Sequence, residues 1–498
     1  MSRAPAILAE LGKMGIDTKS LCADSRRVLP GDVFVALNGQ QVDARNYAAQ
    51  AIANGAVAVI YEDGKTPVGA GDTPLVAASN IRHFLGELAS LVYEHPSQKM
   101  WIAGVTGTNG KTSVSQWIAQ VLEVLDERCG IVGTLGNGFP GHLVESVNTT
   151  PDAITLQAAL ASLVTAGASS CAMEVSSIGL DQRRVAGVDF DVAIFTNLTR
   201  DHLDYHGDMA RYALAKEMLF QMPGLQAAVL NMDDYFGREL AAKLHGKVRT
   251  IGYTLDNSIA NDSGCDQVLI AKNLSFRATG VTFEVDGQPF SAPVVGRFNV
   301  ANLLALIGAL LVRGYNMSAI ARALTAVHAP PGRMESIGGT GEPLVVVDYA
   351  HTPDALEKAL NVLRETADSR AGKLLCVFGC GGARDPGKRP QMGAVAETFA
   401  DRVIVTSDNP RNEDPEHIVA DILKGMHGRP QVEIDRGRAI STAISMAGSQ
   451  DVVLLAGKGH EPYQEIKGVR TPFSDMRAAE LVLTTRRQID GIAMERPT

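Results

Sequence analysis

The run Gly104-Val105-Thr106-Gly107-Thr108-Asn109-Gly110-Lys111-Thr112-Ser113 constrains the fold of this chain more than any other feature. An apolar stretch, 100–103, leads into it, and a helical pattern, 113–125, follows. A Gly-rich turn between strand and helix presents backbone N–H groups and a helix N-terminus to a phosphate. A lysine there pairs with the terminal phosphates, and the neighbouring Thr hydroxyl can ligate Mg²⁺. Gly107, Thr108, Asn109, Gly110, Lys111, Thr112 and Ser113 are therefore the candidate ATP-binding residues. The fit to the standard phosphate loop is imperfect. The pattern places glycine where Val105 stands, and Gly104 comes one step early. A plain strand-turn-helix is the alternative, and the loop alone does not separate a kinase, an ATPase and a ligase.

The rest of the chain reads as alternating strand and helix, which predicts mostly parallel sheets with helices on both faces. Strand-like pieces fall at 32–37 and 56–61, before an amphipathic pattern at 81–93 and a linker at 95–98. After the loop come 171–175, 192–196 and 227–231, a β-rich insert at 267–290, and a helix at 300–313. A second break, 328–332, precedes further alternation at 344–347, 374–379, 403–406 and 452–456. The 498 residues suffice for about three domains, expected at 1–97, 98–330 and 331–498.

Composition excludes several classes. A net charge of −9 makes the chain a poor generic binder of nucleic acid or anionic membranes. Anionic substrates would need local Arg and Lys clusters. The six cysteines are scattered, and Cys376 and Cys380 lack a second pair at zinc spacing, so core thiols in a reducing compartment are expected. There is no apolar leader pattern, and the apolar stretch 301–312 is too short to span a bilayer. The expectation is a soluble cytoplasmic protein without membrane insertion.

Three groups near the loop in sequence order could carry chemistry. Glu174 ends a predicted strand, and ligands in open α/β sheets gather beyond the carboxyl ends of strands. It could hold Mg²⁺ or simply face solvent. His202 and His206 have the spacing of a helical metal pair, but no third soft ligand is nearby. His202 beside Mg²⁺ or phosphate, and a structural histidine, are the other readings. In the helical pattern 209–221 the apolar face reads Met209, Tyr212, Ala213, Leu219 and Phe220, and Lys216 falls on it. Such a lysine must snorkel, pair or change its chemistry. Spacing favours snorkelling over conversion to a metal-binding anion.

Taken in order, these motifs resemble the Mur ligases, the ATP-dependent amide-forming enzymes of peptidoglycan assembly. The resemblance rests on Gly107 to Thr112, Met173-Glu174-Val175-Ser176-Ser177, Asn197 with Asp201-His202-Leu203-Asp204, Gly296-Arg297-Phe298-Asn299-Val300-Ala301-Asn302 and Asp348-Tyr349-Ala350-His351-Thr352-Pro353. It covers nearly the whole chain. It implies a smaller N-terminal α/β UDP-binding domain, a central ATPase domain of phosphate-loop type with a parallel sheet, and a C-terminal doubly wound, Rossmann-like domain for the amino acid. It implies a catalytic role for Lys111, His202 and Lys216, and two Mg²⁺ held by Thr112, Glu174, His202 and Lys216, the last as a CO₂-derived carbamate. That conversion removes the objection to a cation on a buried face. Asn299, Asn302, Arg333 and Asp348 then contact the base and ribose of ATP, although each could be structural.

Within the family, Asp24-Ser25-Arg26 followed by Pro30-Gly31-Asp32-Val33-Phe34 resembles the UDP-sugar domain of the tripeptide- and pentapeptide-forming members. Asn148-Thr149-Thr150-Pro151 and 176–184 resemble the tripeptide synthetase's grip on UDP-MurNAc-L-Ala-D-Glu. That implies contacts from Ser25, Asn148, Thr149, Thr150, Ser176, Gln182 and Arg184. Asp408-Asn409-Pro410-Arg411 resembles the motif of the members that add meso-diaminopimelate; lysine-adding relatives lack the Arg. On spacing alone it could be turn chemistry. A guanidinium fork recognises the distal carboxylate that distinguishes diaminopimelate from lysine. Leaving such a fork unpaired costs roughly 3–5 kcal/mol, on the order of a thousandfold in discrimination. Arg384, Gly457 and Glu461 complete the expected amino-acid set, with Glu461 on the distal ammonium. Gly379-Cys380-Gly381-Gly382 misses the dinucleotide spacing. The implied reaction is amide formation at the D-Glu γ-carboxylate through an acyl phosphate, by a monomer acting only on small molecules. His202 and Asp348 are candidates for the base. The rivals are a folylpolyglutamate-type ligase and a nucleotide-switched binding protein.

Overall fold

The computed structural model describes residues 3–38, 42–259, 264–277 and 280–494. The chain divides into two compact units. The first comprises Met1–Ile270 with Asn302–Ile320, the second Ala271–Ala301 with Ala321–Thr498.

The first unit holds two sheets. A four-stranded parallel sheet runs in chain order through Leu21–Cys22, Val33–Ala36, Ala58–Glu62 and Leu75–Ala78. Successive side chains of a strand point to opposite faces, and here both faces are covered. Val33, Val35 and Ile60 pack with Leu11 and Leu88 of the helices Ala4–Lys13 and Leu85–Val92. Phe34, Ala36 and Val59 pack on the other side with Ala48 and Ala51. The predicted linker 95–98 is a tight 3-10 turn, Pro96–Lys99.

The larger sheet has nine strands in the order Gln267–Ile270, Arg249–Thr254, Ala227–Asn231, Val192–Phe195, Trp101–Thr106, Ser170–Glu174, Cys129–Gly133, Gly136–Phe139 and His142–Val144. All neighbours pair in parallel except in the final hairpins from Cys129–Gly133 onward. Every residue of Trp101–Thr106 is buried, as a central parallel strand requires. Its register sets Thr106 beside Phe195 and Val105 beside Glu174. The carboxyl ends of three strands therefore finish level, and the chain leaves all three at one edge. The helix Lys111–Val124 follows the central strand, starting slightly earlier than the apolar period suggests.

The second unit contains a three-stranded antiparallel sheet and a six-stranded one. The β-rich stretch 267–290 is thus shared between sheets: Gln267–Ile270 is an edge of the nine-stranded sheet, and the remainder lies in Lys272–Arg277, Gly280–Val285 and Gln288–Ala292. The six-stranded order is Glu335–Gly338, Leu344–Asp348, Val452–Ala456, Leu374–Phe378, Arg402–Val405, Gln431–Val432, parallel after the first strand. Leu356, Leu360 and Met392 cover one face, and Ile440, Ile444 and Leu483 the other. This is the doubly wound arrangement expected. Asp348, Ala456, Phe378 and Val405 end in register.

All six cysteines are free, and Cys376 and Cys380 are buried, as core thiols should be. Among the described residues no helix is long and apolar enough to cross a membrane.

Candidate active site

The phosphate loop occupies the edge where the three strands end. Gly110, at φ +86°, caps the helix Lys111–Val124 and brings no side chain to its first turn. The first turn of a helix presents N–H groups that suit a phosphate. Gly107 sits at φ +149°, and a Cβ there would collide with Thr196 Oγ1. Asn197, leaving the adjacent strand, braces the loop: its carbonyl accepts the Thr108 N–H at 2.8 Å and its Oδ1 the Asn109 N–H at 3.0 Å. Lys111 Nζ donates to the Gly107 and Thr108 carbonyls at 2.8 and 2.9 Å. Gly104 belongs to the strand rather than the loop, against the Phe190 ring.

Glu174 does not face solvent; it is 1 % exposed. Its Oε2 accepts from Thr112 Oγ1 at 3.0 Å and Thr134 Oγ1 at 3.1 Å, and its Oε1 from the Thr134 N–H at 2.9 Å. A hydroxyl and a carboxylate side by side are hard oxygen donors of the kind Mg²⁺ takes. Lys216 does not snorkel either. It is 1 % exposed, with Nζ donating to the Gly107 carbonyl at 2.8 Å and lying 4.4 Å from the Tyr212 ring centroid. Burial, then the nearby Lys111 charge, pulls its amine well below the ordinary lysine range.

The two histidines do not form a metal pair. His202 sits outside the helical geometry at φ +51°, exposed, with Nε2 3.6 Å from Asp201 Oδ2. His206 is buried and its Nε2 meets Ser177 Oγ at 3.0 Å. Among the described residues no cluster of three His, Cys, Asp or Glu could hold a metal.

Next to Glu174 five of the seven expected dipeptide residues form one network. Thr150 Oγ1 donates to the Glu174 carbonyl at 2.9 Å and accepts the Ser176 N–H at 2.9 Å. Arg184 Nη1 donates to the Thr150 carbonyl at 2.7 Å, and Nη2 to Gln182 Oε1 at 2.8 Å. Thr149 Oγ1 lies 3.0 Å from Thr134 Oγ1. Asn148 is exposed. Ser25, in the four-stranded sheet's region, is buried against Gln50 Oε1 at 2.9 Å.

In the second unit a cavity of about 340 Å³ opens at the carboxyl ends of the six-stranded sheet. Arg384, Asp408, Asn409, Arg411, Gly457 and Glu461 all line it. Arg411 adopts φ +53° and anchors Nη1 on the Gly382 carbonyl at 2.6 Å. Asp408 is buried, and burial pushes its carboxyl up from the ordinary range against the pull of Arg436 and Lys458. Gly457, at φ +115°, makes room for it; a Cβ there would lie 2.6 Å from Asp408 Oδ2. Pro410 is buried beside Gly382. The wall thus carries both signs of charge.

Comparison with known proteins agrees with this geometry. The Mur ligase family catalytic domain matches residues 18–93, the Mur ligase middle domain 105–310, and the Mur ligase glutamate ligase domain 332–459. The chain belongs to the Mur ligase family. Two proteins named UDP-N-acetylmuramoyl-L-alanyl-D-glutamate–2,6-diaminopimelate ligase are similar over nearly full length. That of Ectopseudomonas mendocina is 51% identical over 96% of this chain and 97% of its own. That of Pseudomonas aeruginosa is 52% identical over 93% and 95%. A solved structure of the same name aligns with TM-score 0.71 at 37% identity, covering 94% of this chain and 95% of that one.

The structure of this Mur ligase also brings to the site residues that the sequence motifs did not single out. Thr134 joins Glu174 to Thr149, and nothing in its local sequence marks it. Tyr212, read as an apolar-face residue, is the hub of the phosphate site. Its hydroxyl lies 3.1 Å from Thr108 Oγ1, and its ring meets those of His202 and His206 and the Lys216 amine. Burial pushes its phenol up to about 12, so it serves as a neutral partner. Of the expected base and ribose contacts, Asn302 Oδ1 lies against Gly110 in the first unit. In the second, Asn299 is buried with Nδ2 on the Val295 carbonyl at 2.8 Å. Asp348 Oδ2 accepts the Met334 N–H at 2.9 Å, and Arg333 lies over the Tyr349 ring.

Proposed function

We propose that this Mur ligase joins meso-2,6-diaminopimelate to the D-Glu γ-carboxylate of UDP-MurNAc-L-Ala-D-Glu, with ATP as co-substrate, as a monomer in the cytoplasm. The observation that carries the reading is the cavity in which Arg384, Arg411, Asp408 and Glu461 meet. The names of relatives at half identity over nearly the whole chain support it. The residue ranges 1–97, 98–330 and 331–498 supply the UDP-sugar, ATP and amino-acid functions respectively.

The chemistry has two steps. A γ-carboxylate oxygen attacks the terminal phosphorus of ATP, and ADP departs. The resulting acyl phosphate makes the carbonyl carbon electrophilic, which a carboxylate is not. The neutral amine of diaminopimelate attacks that carbon, the tetrahedral species collapses, and inorganic phosphate leaves with the amide formed. Lys111 and the N–H groups of the first helical turn offset charge on the transferring phosphoryl group. Thr112, Glu174, His202 and Lys216 as a carbamate would hold Mg²⁺, which supplies further charge neutralisation. The depressed basicity of Lys216 supports the carbamate, because only a neutral amine adds CO₂. Ser25, Asn148, Thr149, Thr150, Ser176, Gln182 and Arg184 bind the UDP-dipeptide. Asn299, Asn302, Arg333 and Asp348 bind the nucleotide's base and ribose. His202 and Asp348 remain the candidates for the base that takes the amine proton.

The test is phosphate release and product mass with ATP, Mg²⁺ and UDP-MurNAc-L-Ala-D-Glu, offering meso-diaminopimelate or L-lysine. Turnover with diaminopimelate, and loss of its advantage by on the order of a thousandfold in Arg411→Ala, is the expected result. Preference of the wild-type protein for lysine would overturn it.

A further inference from the structure

Behind the amino-acid cavity lies a lysine that no step above uses. Lys458 is fully buried between Gly457 and Gly459 and does not line the cavity itself. A lysine removed from water needs a counter-charge and hydrogen bonds. Lys458 Nζ has both, donating to Asn409 Oδ1 at 3.1 Å and lying 3.2 Å from Glu461 Oε2. Asn409 Oδ1 also accepts the Glu465 N–H at 2.9 Å. With Oδ1 committed to two donors, the amide's orientation is set, and Nδ2 donates to Glu461 Oε2 at 2.7 Å. Glu461 Oε2 therefore serves Lys458 and Asn409, and Oε1 is the oxygen that can meet a substrate.

The charge arrangement bears on selectivity. The far end of diaminopimelate carries an ammonium and a carboxylate, net zero. The far end of lysine carries the ammonium alone. With Lys458 in place, part of the Glu461 charge is offset before a substrate arrives. Without it the cavity gains uncompensated negative charge, which favours a cation over a zwitterion.

We propose that Lys458 is a positioning residue that sets amino-acid selectivity, orienting Glu461 and Asn409 and offsetting the Glu461 charge so that the cavity selects an amino acid with a zwitterionic far end. This rests on the amino-acid assignment of the cavity proposed above. The experiment measures kcat/KM for meso-diaminopimelate and for L-lysine, together with the KM for ATP, in the wild-type protein and in Lys458→Met and Lys458→Arg. In Lys458→Met the diaminopimelate-to-lysine ratio should fall by about tenfold or more, the effect of removing one charge close to a partly buried site. The KM for ATP should not move, and Lys458→Arg should retain most of the ratio. Equal losses with both amino acids and an unchanged ratio would overturn the proposal, since a purely structural lysine would act that way. Lys458→Gln carries the same comparison where the methionine variant does not fold. A wild-type preference for lysine would instead overturn the assignment of the cavity, a result visible before any variant is made.

Discussion

Two lysine amines, Lys111 and Lys216, donate to the same Gly107 carbonyl oxygen. Two cations on one acceptor, one of them buried, cannot both be comfortably protonated, and the cost falls on Lys216. Lowered basicity leaves the amine readier to add CO₂. Lys216→Ala should therefore lose activity by about two to three orders of magnitude, and short carboxylates such as acetate should restore part of it by standing in for the carbamate. Initial-rate assays with and without acetate check this; unchanged activity in the variant would count against the proposed carbamate. Spacing placed Lys216 on the apolar face, because a helix repeats every 3.6 residues whatever packs on it. It could not say how deep that face lies, and snorkelling was the natural reading until burial closed the route to water.

The elements around the site are held by pairs distant in sequence. Arg313, at the end of the helix Arg297–Arg313, meets Glu127 through Nη2 at 2.8 Å and Nε at 3.0 Å. Tyr315 and Ser170 hydroxyls donate to the same carboxylate. Burial works to raise the Glu127 pKa, but the bonds to Arg313, Ser170 and Tyr315 win and hold it below the ordinary carboxylate range. A carboxyl depressed in the folded state contributes stability that is complete above its unfolded pKa. That contribution is lost as pH falls through the folded value. Glu127→Gln should be less stable than wild type by about 1–3 kcal/mol near neutrality, and the gap should narrow in acid. Denaturant titrations at a series of pH values test the sign. The strands were legible from short apolar runs bounded by turns, several to within a residue. The shared insert at 267–290 was not, since a β-rich stretch does not say which sheet each strand joins.

Across the whole molecule the cysteines report on the packing of both units. Cys129, Cys171, Cys376 and Cys380 are buried, and burial pushes the thiols of Cys171, Cys376 and Cys380 up to about 12 and that of Cys129 well above its ordinary value. Cys22 and Cys265 are only partly covered. Thiol labelling of the native protein should modify Cys22 and Cys265 first, and the other four only as their unit opens. Mass mapping of labelled peptides checks this, and fast labelling of Cys376 would contradict the packing described. The chain's own order of residues determined the alternation of strand and helix, the phosphate loop and the family motifs, because periodicity, turn chemistry and motif spacing are local. Only the tertiary structure decided that Gly104 is a strand residue, that Glu174 and Lys216 are buried, that the ring nitrogens of His202 and His206 meet Asp201 and Ser177 respectively, and that Thr134, Tyr212 and Lys458 stand beside residues far from them in the chain. Those facts depend on sheet register and on exclusion of water, and neither is a property of any one stretch of sequence.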